Sequence, residues 1–330
     1  MNEGNKGFKN LGNTCYLNSV LQCLSHIDIL SNDNFKKYIM KYKKHDSILI
    51  NEWMNIQNIM WSNEDITFID PSELVNIFRR KCNDENIWFE SFIENDASEF
   101  LLRFFDFIHK EISRKITMNI QGDPKSDRDK LYFKNLKSQE KEYENSYSYI
   151  IENFYSSSLN LTQCPECNHT IDKHEQMSII SLTLKKGYTS LYDSLNEYTD
   201  KIILDDDNKH KCEKCNEYVN SGKKVIFWDL APFIIFHIKY HDGNLTNHID
   251  YPINLDMDKY TINYNDKSTD YELSGICVHM GGGIDGGHYY SNCKNNNEQK
   301  WKMYNDQFVE DIDESNLFNR HPSCLFYKRV

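Results

Sequence analysis

Cys15 lies in the run Asn10-Leu11-Gly12-Asn13-Thr14-Cys15-Tyr16-Leu17-Asn18-Ser19. Gly12 and Asn13 are turn formers, and an apolar stripe at helical spacing begins at Leu17, so Cys15 falls in the first turn of a helix. The positive end of the helix dipole and the N–H groups there favour a thiolate. A buried structural cysteine more often sits mid-helix, as Cys23 does, and Cys23 is read as core. A thiolate nucleophile needs a base and a group to orient that base. His288 opens a strand behind the glycine-rich turn Gly286-Gly287, and Asn305 and Asp306 end the run Trp301-Lys302-Met303-Tyr304-Asn305-Asp306. An antiparallel hairpin would set Asn305 beside His288, where its carbonyl fixes the imidazole tautomer. Each feature alone also fits a structural reading: a turn histidine for His288, a strand-end turn for Asn305 and Asp306. Their co-occurrence in one chain favours cysteine-based acyl transfer.

A second constellation is Cys164-Pro165-Glu166-Cys167 with Cys212-Glu213-Lys214-Cys215. Two such knuckles at the tips of neighbouring hairpins place four thiolates tetrahedrally, the arrangement structural zinc prefers. The 44 intervening residues, 168–211, exceed the usual spacing, so the fold must bring two hairpins together. Four thiolates leave no open coordination position, which makes the metal a clamp rather than a catalyst. Nearby His169, His174 and His210 are expected on the surface, outside the ligand set.

The elements that must position these groups change character along the chain. Helical spacing recurs at Leu17, Val20, Leu21, Leu24 and Ile27, after Pro71-Ser72-Glu73, and from Ala97 to Ile112. The polar stretch 119–148 is read as a loop or mobile insertion, with a helix over part of it as the alternative. Short β-favouring runs then follow: Leu159–Leu161, Ser178–Leu184, Val225–Trp228, Phe233–Tyr240, Glu272–Met280, His288–Cys293, Trp301–Tyr304 and Leu325–Val330. Helices first and strands after predict an α+β fold.

The 330 residues carry 38 Lys+Arg against 50 Asp+Glu, a net charge of −12, with 39% hydrophobic and 13% aromatic residues. That composition excludes a disordered chain and argues against a nucleic-acid binder, which needs a basic surface. No apolar run approaches the ~18 residues of a membrane span, and the first residues lack a signal-peptide core. The expected compartment is cytoplasmic or nuclear, where thiols stay reduced. No membrane or nucleic-acid partner is expected, and the protein is expected to be a monomer.

Taken together the motifs resemble the ubiquitin-specific protease family of cysteine deubiquitinases, over nearly the whole chain from Gly7 to Val330. The cysteine box is Gly7 to Ser19. The histidine box covers His279 to Tyr290 and Trp301 to Asp306, ending in Leu325-Phe326-Tyr327. Trp228-Asp229-Leu230-Ala231-Pro232 with Phe236–Tyr240, and Tyr251-Pro252-Ile253-Asn254-Leu255, resemble further family blocks. The resemblance implies a papain-like cysteine peptidase fold in a single catalytic domain: a helical thumb over 7–118, the polar insertion 119–148, zinc-bearing fingers over 149–225 and a β-rich palm over 226–330. It implies hydrolysis of the isopeptide or peptide bond after ubiquitin's C-terminal glycine through an acyl-enzyme on Cys15. His288 would be the base, Asn305 its orienting group, Asn10 an oxyanion donor with the Cys15 N–H, and Asp306 a supporting residue. Cys164, Cys167, Cys212 and Cys215 would hold one structural zinc. Asp96, Glu99, His279 and Tyr289 would contact the ubiquitin tail. Asp96 and Glu99 also fit a helix capping box, and the two readings are compatible. Two departures stand out. Glu94 and Asn95 replace two glutamines of the family pattern, and the glycine-rich loop from His279 to His288 is one residue longer than the common spacing. That loop and the one at Lys239–Asn244 are expected to border the tail channel. Three other readings stay open: the same chemistry on another diglycine-ending modifier, an inactive ubiquitin-binding module, and a zinc-ribbon nucleic-acid binder.

Overall fold

The computed structural model describes residues 3–87, 89, 96–240, 249–283, 286–318 and 321–330. Its helices are α1 (Cys15–Ser25), α2 (Asp33–Tyr42), α3 (Ile48–Met60), α4 (Ser72–Asp84), α5 (Ala97–Ile112), α6 (Asp127–Tyr143), α7 (Tyr149–Phe154) and α8 (Leu191–Thr199). Its strands are β1 (Gly7–Phe8), β2 (Phe68–Ile69), β3 (Ser156–Gln163), β4 (Thr170–Met177), β5 (Ile180–Leu184), β6 (Ile202–Leu204), β7 (His210–Cys212), β8 (Glu217–Val219), β9 (Ser221–Asp229), β10 (Phe233–Tyr240), β11 (Asn254–Asp256), β12 (Asp270–Gly283), β13 (Gly286–Asn295), β14 (Lys300–Asn305), β15 (Phe308–Asp311) and β16 (Pro322–Arg329). Helices dominate the first half and strands the second, an α+β fold.

The largest sheet runs β15-β14-β13-β12-β16-β10-β5, with β11 on β12. It is covered on both faces. Phe233 and Ile235 of β10 pack with α1, α3, α4, α5 and α7, while Ile234, Phe236 and Ile238 face Leu191 and Leu195 of α8, Tyr251 and Leu255. A strand buried on both sides reads as an apolar run, here Phe233–Phe236 before His237 and Lys239 interrupt it, and the expected strand Phe233–Tyr240 matches the observed one. A second sheet, β4-β3-β9-β6, carries the β3–β4 hairpin, and β7–β8 forms a separate hairpin.

All eleven residues of α1 are buried. It packs on β13, β12 and α5, so it is enclosed on several sides. Its polar side chains therefore need partners inside the protein. Gln22 donates to Lys6 O, the Ser19 hydroxyl to Tyr16 O, and Ser25 accepts from Gln57. Asn18 reaches the candidate site.

The expected loop at 119–148 holds the 17-residue helix α6, so the helical alternative describes most of it. α6 is capped by the Ser126 hydroxyl with a return bond from Asp129. It is pinned from outside: the Tyr132 and Tyr264 rings stack with centroids 4.0 Å apart, Tyr264 donates to Asp129 Oδ1 at 2.6 Å, and Lys134 pairs with Asp172. The histidines expected at the surface are half-buried instead. His174 lies edge-on to Trp228, with centroids 5.1 Å apart, and burial lowers its pKa.

Candidate active site and four-cysteine centre

Gly12 (φ +94°) and Asn13 (φ +53°) turn the chain in the left-handed region immediately before α1, whose first residue is Cys15. Thr14 does not cap the helix with its side chain; its hydroxyl accepts from Leu11 N–H at 2.9 Å. Asn10 folds over this turn. Its carbonyl Oδ1 accepts from Gly12 N–H at 2.9 Å and from Thr14 N–H at 3.4 Å. Its amide Nδ2 donates to Asp306 Oδ2 at 2.9 Å, across nearly the whole length of the chain.

Asp306 occupies the turn between β14 and β15 with φ +49°, a conformation a short polar residue tolerates. Three bonds fix it. Oδ2 accepts from Asn10, Oδ1 accepts from Asn18 Nδ2 at 2.8 Å, and its backbone carbonyl accepts from Phe8 N–H at 2.9 Å. Gly7 explains how β1 approaches so closely. A Cβ there would lie 2.2 Å from Asp306 O, so any side chain would push the two segments apart. The preceding residue, Asn305, accepts through Oδ1 from His288 Nε2 at 2.6 Å. A carbonyl oxygen only accepts, so Nε2 carries a hydrogen, and in the neutral ring Nδ1 is the nitrogen left to accept a proton. The antiparallel β13–β14 pairing expected from sequence produces this contact. α1 packs against both strands, so Cys15, Asn10, His288, Asn305 and Asp306 converge on one region from the two ends of the chain.

The remaining candidate residues lie at the start of α5, against β10, and on β12 and β13. Asp96 is the N-cap of α5, accepting from Ser98 N–H at 2.7 Å and Glu99 N–H at 3.1 Å, and Glu99 is exposed in the first turn. Asp96 Oδ2 is 3.9 Å from His237 Nε2 on β10, and burial lowers the His237 pKa. His279 and Tyr289 are register partners on β12 and β13, their rings 4.4 Å apart. Tyr289 is buried and His279 half-buried. A Cβ on Gly287 would meet His279 Nε2 at 2.2 Å, which fixes glycine there. Glu94, Asn95, Ile284, Asp285 and His241–Asn244 lie outside the described residues. Asn18, His237 and Gly7 were missed as site residues by sequence reasoning. Asn18 sits one turn after Cys15 on the same helix, and that spacing was the available signal.

Cys164, Cys167, Cys212 and Cys215 bring their sulfurs within 4.8 Å of one another, a group able to hold a metal ion. Cys164 Sγ is 3.9 Å from Cys215 Sγ, and Cys167 Sγ is 3.7 Å from Cys212 Sγ. The two knuckles repeat one local design. Asn168 and Asn216 follow the second cysteine with φ +55° and +58°, and donate N–H to Cys164 O and Cys212 O. The Cys215 N–H, 3.5 Å from Cys212 Sγ, helps lower that thiol's pKa to about 7, whereas hydrogen bonding from the neighbouring thiols raises that of Cys215. A divalent cation removes that conflict by stabilising all four thiolates, so the donor set fits zinc. The half-buried histidines are not in this cluster.

The family model described as ubiquitin carboxyl-terminal hydrolase matches residues 6–327. The chain is 27% identical to human ubiquitin carboxyl-terminal hydrolase 2, covering 99% of this chain and 55% of that protein. It is 25% identical to a probable ubiquitin carboxyl-terminal hydrolase of Acanthamoeba polyphaga mimivirus, covering 99% of this chain and 90% of that one. The chain thus spans about half the length of the human relative. Among solved structures, a chain of the SAGA Ubp8/Sgf11/Sus1/Sgf73 DUB module bound to ubiquitin aldehyde shares the fold, with a TM-score of 0.75 at 21% identity over 100% of this chain and 70% of that one. Among the described residues no helix is long and apolar enough to cross a membrane. With its cysteine and histidine segments joined at one site and the family pattern matched from end to end, the chain belongs to the ubiquitin carboxyl-terminal hydrolase family.

Proposed function

We propose that the protein is a thiol-dependent deubiquitinase that hydrolyses the bond after ubiquitin's C-terminal glycine. One observation carries the reading: His288 is hydrogen-bonded to Asn305, and the next residue in the chain, Asp306, is hydrogen-bonded to Asn10, beside the helix that Cys15 begins. In this reading His288 Nδ1 takes the Cys15 proton, and the thiolate attacks the glycine carbonyl carbon. The oxyanion is held by the second hydrogen of Asn10 Nδ2 and by the Cys15 N–H. His288 then protonates the departing amine. Water, deprotonated by His288, hydrolyses the thioester and frees the glycine carboxylate. Asn305 orients His288, and Asp306 positions Asn10. Asp96, Glu99, His279 and Tyr289 contact the arginine-bearing tail, where carboxylates at a helix start suit a basic peptide.

The four cysteines would hold one zinc, which would clamp the β3–β4 and β7–β8 hairpins as fingers on the ubiquitin body. The division into thumb (7–118), insertion (119–148), fingers (149–225) and palm (226–330) belongs to the same proposal. It is supported by helices before residue 155, hairpins around the cysteines and the large sheet after 230. Cys15→Ala tests the reading: turnover of a fluorogenic ubiquitin substrate is abolished and ubiquitin binding is kept. Normal turnover by that variant overturns it.

A further inference from the structure

Exposed apolar residues grouped beside a reactive site are candidates for a contact surface, whereas scattered single ones are ordinary. Phe308, the first residue of β15, is 70% exposed, and Phe68, the first residue of β2, is 42% exposed. Both lie on segments next to β1. Gly7 is the register partner of Phe68, and the Cβ position of Gly7 lies 2.7 Å from Gln307 Cα, the residue before Phe308. Phe308 is itself the register partner of Asn305. Phe68 and Phe308 therefore both belong to segments that adjoin the backbone holding Asp306 and Asn10. Lys9 and Asp70, paired at 3.0 Å and each about half exposed, give the patch a charged rim.

Strand order fixes which side of the reaction this patch serves. The groups assigned to the ubiquitin tail sit on β12, β13 and at the end of α5 that meets β10. The order β15-β14-β13-β12-β16-β10 places Phe308 at the opposite edge, beyond the His288–Asn305 pair. A substrate whose tail enters from the β10–β12 side leaves its amine-bearing half over the β14–β15 edge and β2.

We propose that Phe68 and Phe308 form a contact surface for the amine-side half of the substrate, a folded protein presenting an apolar patch beside the modified lysine. This rests on the deubiquitinase reading above. Both residues lie on segments adjoining the candidate site, and two rigid aromatics suit a folded, apolar surface better than a polar disordered segment. Its role is specificity, because neither ring touches the reacting atoms.

The test compares two substrates on the full chain and on Phe68→Ser, Phe308→Ser and the double variant. One is ubiquitin joined to a small C-terminal fluorophore. The other is a panel of isopeptide-linked di-ubiquitins, whose amine side is a folded body. The expected result is unchanged kcat/KM on the fluorophore conjugate and a drop of roughly fivefold or more on at least one di-ubiquitin linkage, carried by KM, in keeping with interface aromatics. Equal activity of wild type and variants on every linkage overturns the proposal, as does an equal loss on both substrates. Should the wild type turn over neither substrate, the deubiquitinase reading itself fails, and the two failures are thereby distinguished.

Discussion

The reactive cleft and the four-cysteine centre solve the same problem, holding several polar side chains at short range, by opposite means. The cleft joins segments nearly 300 residues apart, and its hydrogen bonds rest on a large apolar core that includes all of α1. The cysteine centre is built from two local turns, and among the described residues the buried apolar cluster around it is Cys164, Cys212 and Val219, with Cys167 and Cys215 packed against it. The first region is backed by packing, so its elements keep their places when one polar contact is lost even though individual side chains are freed. The second has almost no core of its own, so its geometry depends on what the sulfurs bind.

This contrast is open to direct tests. The largest effect belongs to the cleft. Removing one oxyanion donor costs about 2.7–4 kcal/mol of transition-state stabilisation. Asn10→Ala is therefore expected to lower kcat by roughly 10²–10³ with the melting temperature nearly unchanged. Asp306→Ala, which frees Asn10 and leaves the buried Asn18 amide without its carboxylate, should lower both kcat and stability. Steady-state kinetics with a parallel thermal melt separates them, and an Asn10→Ala variant with full kcat removes Asn10 from the site.

A second test lies at the far end of α1. His26 is fully buried against Tyr304 and Trp61, and burial lowers its pKa to about 4. The unfolded chain protonates this imidazole near 6.5, so the folded state binds fewer protons between those values. Stability is fully present above pH 6.5 and is lost as the pH falls toward 4, by about 3 kcal/mol for this group. The check is denaturant unfolding at pH 7 and pH 4 on wild type and His26→Gln; the acid loss should be smaller in the variant by about that amount.

The smallest effect on chemistry belongs to the cysteine centre. Chelation, or Cys164→Ser, is expected to loosen the β3–β4 and β7–β8 hairpins and to raise KM for ubiquitin substrates roughly tenfold, at little cost in kcat. Metal analysis of the native protein should return one zinc per chain. Loss of kcat with unchanged KM would erase the contrast between the two regions.

Much of this was legible in the residues because it is written locally. A glycine–asparagine turn before a helical stripe marks Cys15, and two CxxC pairs mark the four-cysteine centre. The strand Phe233–Tyr240 announces itself by its buried apolar start, Phe233–Phe236. What escaped is written in tertiary partners. α6 is rich in Lys and Glu and has no broad apolar face; it is held by Tyr264 and Asp172, which the sequence does not bring near it. β4, Thr170–Met177, is an edge strand with polar residues on both faces, so pairing with β3 makes it a strand and periodicity does not. Asn18 looked like one more residue of a core helix. Its role emerges only once the β14–β15 turn delivers Asp306 to it.

The most direct measurement is reaction of the intact chain with ubiquitin carrying a C-terminal thiol-reactive group, followed by peptide mapping of the adduct. The account predicts one ubiquitin per chain, attached at Cys15, and no adduct in Cys15→Ala. Attachment at another of the ten cysteines, or tight binding with no adduct, would contradict it.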